Sequence, residues 1–80
     1  MPYPKLKVVN GVVRVYEEPD SSSNYIRIPQ GTFLTATETC PSYNSSAIMA
    51  LVEGDYCDTN DEYHKVKGWV SLNSNHLTFI

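Results

Sequence analysis

Two cysteines, two histidines and nine carboxylates are the side chains of this 80-residue chain on which chemistry would have to rest. Cys57 and His64 supply the residue types of a thiolate and its base. That pairing also needs spatial adjacency and a third group to orient the imidazole, and the spacing marks neither. Asp55, Asp58, Asp61 and Glu62 crowd oxygen ligands into one stretch, yet without the glycine and the alternating order of a dedicated calcium loop. His64 and His76 lack the paired spacing of a zinc site, and two cysteines do not complete one. The residues therefore predict a protein that is not an enzyme and carries no metal and no cofactor.

Cys40 and Cys57 enclose sixteen residues, and a disulfide closing such a loop contributes about 3 kcal/mol in the chain-entropy picture. A bridge and two free thiols are both compatible with the sequence. Asn44-Ser45-Ser46 has the form of a glycosylation sequon, which has meaning only in a secreted eukaryotic chain. The first seven residues lack the continuous apolar stretch of a signal peptide, which favours a cytoplasmic location. The formal charge of -3 offers no basic field to collect phosphates along a nucleic acid, and no apolar run is long enough to insert in a membrane.

The elements that must position any site read as short strands. Eighty residues build one core and hence one domain over 1–80. After a flexible lead-in over 1–7, valines and tyrosines from Val8 to Tyr16 flank Asn10-Gly11, the strongest short signal for a hairpin turn. Glu17 to Asn24 is polar and reads as a solvated loop. Tyr25 to Ile28 alternates with period two, Pro29-Gln30-Gly31 turns, and Thr32 to Thr39 has strand composition. Two long loops are expected at 40–46 and 54–62, separated by the apolar run Ala47 to Glu53. Strand character returns from Tyr63 to Leu72 and from Leu77 to Ile80. Val13, Val15, Ile26, Ile28, Leu34, Ala36 and Val70 are expected to share the core face.

The segment Val13-Arg14-Val15-Tyr16-Glu17-Glu18-Pro19-Asp20-Ser21-Ser22-Ser23, followed by Gln30-Gly31-Thr32, and the segment Gly68-Trp69-Val70-Ser71-Leu72 resemble the bacterial-type Src homology 3 (SH3) domains. The resemblance implies an all-β fold, a small SH3-like antiparallel barrel of five to six short strands with an elongated middle loop region. Between Thr39 and Lys67 the chain departs from the family pattern.

Strand alternation turns Trp69 away from the core if Val70 points into it. With Tyr16, Phe33 and Tyr63 nearby, Trp69 would then form an aromatic binding surface. In SH3 relatives the loop occupied here by Glu17, Glu18 and Asp20 carries acidic side chains beside aromatic ridges for Pro-rich peptides with a basic residue. The expected function is a non-catalytic module for protein–protein or peptide interaction, its partner Pro-rich or basic. A cell-wall peptide or glycan targeting module, implied by the bacterial relatives, and a structural or self-associating domain of a longer protein are the alternatives.

Overall fold

The computed structural model describes residues 3–80, and Met1 and Pro2 of the expected lead-in lie outside them. Seven strands form: β1 (Lys5–Val8), β2 (Val13–Tyr16), β3 (Tyr25–Ile28), β4 (Phe33–Pro41), β5 (Ile48–Cys57), β6 (Tyr63–Ser71) and β7 (Leu77–Phe79). All pair antiparallel in one sheet, in the order β3-β2-β6-β5-β4-β1-β7. The all-β expectation holds. The closed barrel does not: the pairing runs open from β3 to β7. The end of β1 bonds instead to the turn between β3 and β4, through Val8 N–H to the Thr32 carbonyl at 2.9 Å and Gly31 N–H to the Val8 carbonyl at 2.8 Å.

The sheet curls so that one face closes on itself as the core. Leu6 and Val8 of β1, Val13 and Val15 of β2, Ile28 of β3, Leu34 and Ala36 of β4, Ala50 and Val52 of β5 and Val66 and Val70 of β6 form one buried cluster. These residues alternate with outward ones along each strand, the pattern of a sheet packed on a single face. Of the expected core residues, Ile26 is the exception. It is 45% exposed, because β3 is an edge strand and nothing covers its first half.

The chain between 3 and 72 departs from the sequence reading at three points. Lys5 to Lys7, expected within the lead-in, join Val8 in a strand held on both sides by β4 and β7. Asn10 and Gly11 do adopt the positive φ of a tight turn (58° and 111°), but the strands they join do not pair with each other. The turn carries the chain from one half of the sheet to the other, fixed by Asn10 Nδ2 to the Asn75 carbonyl and by Gly11 N–H to Gln30 Oε1. The middle is mostly ladder and not loop. β4 runs through Cys40 to Pro41, and β5 runs through Gly54 to Cys57, which pair with Val66, Lys65, His64 and Tyr63. The 54–62 loop shrinks to Asp58–Glu62 because facing lysines and aromatics complete a ladder that its acidic composition argues against.

Gly68 has a definite task in this arrangement. A Cβ there would stand 2.5 Å from the Tyr16 carbonyl oxygen and 2.7 Å from Val15 Cγ1, so only glycine lets β2 approach β6. That approach is confined to one residue pair, Tyr16 with Trp69.

Candidate functional site

The outer face of the sheet, opposite the core, carries a row of large side chains. Tyr25 faces Tyr16, Tyr16 faces Trp69, and Trp69 faces Leu51, so four large side chains form one row across β3, β2, β6 and β5. Direct cross-strand partners lie on the same side of a sheet, which makes the row continuous. Tyr16, Trp69 and Leu51 are half-buried and Tyr25 is 40% exposed. The rings of Tyr16 and Tyr25 meet edge to face at 5.5 Å, and the Arg14 guanidinium sits 4.9 Å over the Tyr25 ring.

Glu17 and Glu18 continue from Tyr16 into an exposed loop. Asp20 hydrogen-bonds within that loop. Its Oδ1 accepts from the Ser22 hydroxyl at 2.7 Å and the Ser22 N–H at 2.8 Å, and these two bonds, the hydroxyl first, hold its carboxyl below the usual range. The loop is also docked, not freely solvated: Pro19 is buried, Tyr43 N–H donates to its carbonyl at 2.8 Å, and Asn44 Nδ2 donates to Ser21 Oγ at 2.9 Å. Asn44, the residue of the sequon, thus clamps the 17–24 loop to the β4–β5 turn.

Phe33 and Tyr63 are not part of the Tyr16–Trp69 row. Phe33 follows the Leu34–Gly54 pair and lies beside Asp55, whose partner Lys65 is four residues from Trp69, about 13 Å along a strand. A charged row through Lys67, Glu53 and Thr35 lies between. Phe33 and Tyr63 instead flank a separate cavity of about 430 Å³ that also meets Cys57. The single aromatic surface expected from sequence is therefore two patches. Leu51 and Tyr25, which belong to the Trp69 row, could have been found only with the strand register in hand.

Both cysteines are free thiols. Cys40 pairs with Met49, eight residues along β5 from Cys57, or about 26 Å of strand, so the fold holds the two far outside disulfide reach. Burial, and then the charges of Asp61 and Asp58, push the Cys57 thiol up, which opposes thiolate chemistry there.

The tip of the β5–β6 hairpin brings together Asp58, Glu62 and His64, which the sequence offered only as separate candidates. Oδ1 of Asp58 accepts from Asn60 N–H (2.8 Å) and Glu62 N–H (3.0 Å), and Oδ2 lies 2.6 Å from His64 Nε2. The His64 bond, then the Glu62 and Asn60 N–H groups, hold the Asp58 carboxyl below its usual range. The His64 ring leans on Tyr56 at 5.4 Å. Asp58, Glu62 and His64 offer ligand atoms within 4.8 Å of one another. The oxygens of Asp58, however, already accept from the turn and from His64, which accounts for the cluster as the clamp of the hairpin tip.

Comparison of the chain with family models, curated proteins and solved structures gives no match.

Proposed function

We propose that this chain is a non-catalytic interaction module that takes an extended peptide across the row Tyr25, Tyr16, Trp69 and Leu51. The observation that carries the reading is the row itself: four large side chains aligned by strand register on a face that the core does not use. Aromatic side chains half-exposed on a rigid scaffold make contact area at small entropic cost, which suits them as anchors. Glu17 and Glu18, exposed next to Tyr16, favour a partner with a basic residue, and flat aromatic rings favour a Pro-rich one. The resemblance of the Val13–Ser23 and Gly68–Leu72 segments to SH3 domains supports the same reading.

Titration of short Pro-rich peptides carrying one arginine, followed by Trp69 emission, is the direct test. Trp69→Ala is expected to weaken binding about 30-fold, from the ~2 kcal/mol of an aromatic anchor, with binding then followed by calorimetry. Equal affinity in the wild type and in both Trp69→Ala and Tyr16→Ala would remove the row from the function.

Self-association is the second reading, favoured by one observation. β3 is an open edge whose Tyr25 and Ile26 are exposed, which is a template for a further strand. Sedimentation across a concentration series distinguishes the two, because only self-association makes the mass concentration-dependent in the absence of peptide.

A further inference from the structure

Beyond the Tyr16–Trp69 pair, β2 and β6 part, and the space between them opens as a cleft of about 500 Å³ beside Arg14, Arg27, Ser71, Ser74 and His76. Its lining is unlike the rest of the surface. Arg14 and Arg27 are direct partners in the β2–β3 ladder, so two positive side chains face outward from one residue pair. The hydrogen bond from Glu17 N–H to the Asn24 carbonyl, one pair beyond that ladder, sets the alternation. Arg14 and Arg27 thereby fall in a non-hydrogen-bonded pair, the kind in which side chains stand closest.

Like charges placed directly opposite destabilise a sheet. Elsewhere on this face the ladder opposes unlike charges, Lys67 to Glu53 and Lys65 to Asp55. Neither arginine has an ion-pair partner: among the described residues the one such contact is Asp58 with His64. The Arg14 guanidinium rests on the Tyr25 ring of β3, and Arg14 also borders the cleft.

The neutral groups of the cleft are also arranged to donate. Asn73 N–H gives its hydrogen bond to Ser71 Oγ at 3.3 Å, and His76 N–H gives its own to Ser74 Oγ at 3.1 Å. Both serine oxygens act as acceptors inside the loop, and both hydroxyl protons are left for an outside acceptor. His76 Nδ1 lies 3.0 Å from the Asn10 carbonyl oxygen, which fixes the ring beside the cleft. No carboxylate lines this cleft. Four other surface cavities each include one or more of Glu17, Glu53, Asp55 and Asp58. On a chain of net charge -3, this cleft joins two guanidiniums with no carboxylate in its lining, and Arg27 borders in addition the cavity that holds Asp58.

We propose that this cleft binds a phosphoryl group, gripped by the Arg14 and Arg27 guanidiniums and by the Ser71 and Ser74 hydroxyls. A phosphate monoester carries close to two negative charges and three terminal oxygens, which matches two cations and two further donors better than a carboxylate does. The cleft and the Trp69 row meet at Tyr16 and through the contact of Arg14 with Tyr25, but the proposal does not rest on the peptide reading, because it uses no peptide contact.

Amide and arginine side-chain NMR shifts report the site directly. Inorganic phosphate and O-phosphoserine are titrated at constant ionic strength against sodium chloride and serine. The expected result is saturable movement of signals from Val13 to Tyr16, from Arg27 and from Ser71 to His76. Stronger binding of phosphoserine than of inorganic phosphate would mark an esterified group as the ligand, and the reverse a free ion. Arg27→Gln, on the exposed edge strand, is expected to weaken binding at least about 10-fold. Combined Ser71→Ala and Ser74→Ala is expected to weaken it about 3-fold. Shifts no larger than those given by chloride and serine, or an affinity unchanged in Arg27→Gln, would overturn the proposal.

Discussion

The β5–β6 hairpin is two structures end to end, and the contrast between them separates what holds this protein together from what merely shapes it. From Met49 to Gly54 and from Val66 to Ser71 the hairpin lies over the core: Ala50, Val52, Val66 and Val70 point inward and are sealed, while Leu51 and Trp69 point outward. From Asp55 to Lys65 it runs past the core, and only Tyr56 reaches back to it. There the order comes from polar groups, with Asp58 bonded to two backbone N–H groups and to His64. The first half is built on apolar burial, which pH does not touch. The second half adds to its ladder, at the tip, the bonds of a charged carboxylate.

The contrast breaks most severely through the core. Leu34→Ala removes a side chain that is 1% exposed and packs under the near half of the hairpin, and is expected to cost about 2–5 kcal/mol in urea or thermal unfolding. A loss below ~1 kcal/mol would mean that this half does not rest on that burial. Gly68→Ala comes next. Its Cβ would meet backbone at 2.5 Å, so β2 must withdraw from β6, at an expected cost of about 1–3 kcal/mol together with a shift in Trp69 emission. Unaltered stability and emission in Gly68→Ala would show that the close approach is dispensable.

The smallest effect belongs to the tip and is lost with acid. Asp58 is held below its ordinary range in the folded chain, so its bonds contribute stability that is complete above the unfolded-state value and is lost as pH falls through the folded one. Wild type should therefore exceed Asp58→Asn in stability at neutral pH. The two should converge as pH drops below about 4. A difference that stays constant across that range would assign the contribution of Asp58 to shape and not to charge.

Much of the core was legible in the chain because Val13 and Val15, Leu34 and Ala36 recur with a period of two, which leaves little choice of face. What could not be read was pairing. Asn10-Gly11 announces a tight turn from local backbone preference alone, and nothing in that preference says which strands will lie beside one another. Gly54 to Cys57 has the composition of a loop, and becomes strand because Tyr63 to Val66 stands opposite it. The site was half legible for the same reason. Trp69 and Tyr16 meet across one pair, whereas Phe33 and Tyr63 are displaced along the strand by a register that no single segment reveals. Asp20, chosen for its charge, is occupied by its own loop. The opposition of Arg14 and Arg27 depends on how many residues the 17–24 loop contains, and so is visible only once β2 and β3 are aligned.

The single pair that joins β2 to β6 has a thermal consequence. The β4–β5 and β5–β6 ladders are long, but the β2–β3 ribbon is bound to the remainder chiefly by Val13, Val15 and Ile28 in the core. Burial of that kind weakens on cooling, while hydrogen bonds do not share its heat-capacity signature. The ribbon is therefore expected to loosen before the long ladders on cooling, and the Tyr16–Trp69 contact lies on its seam.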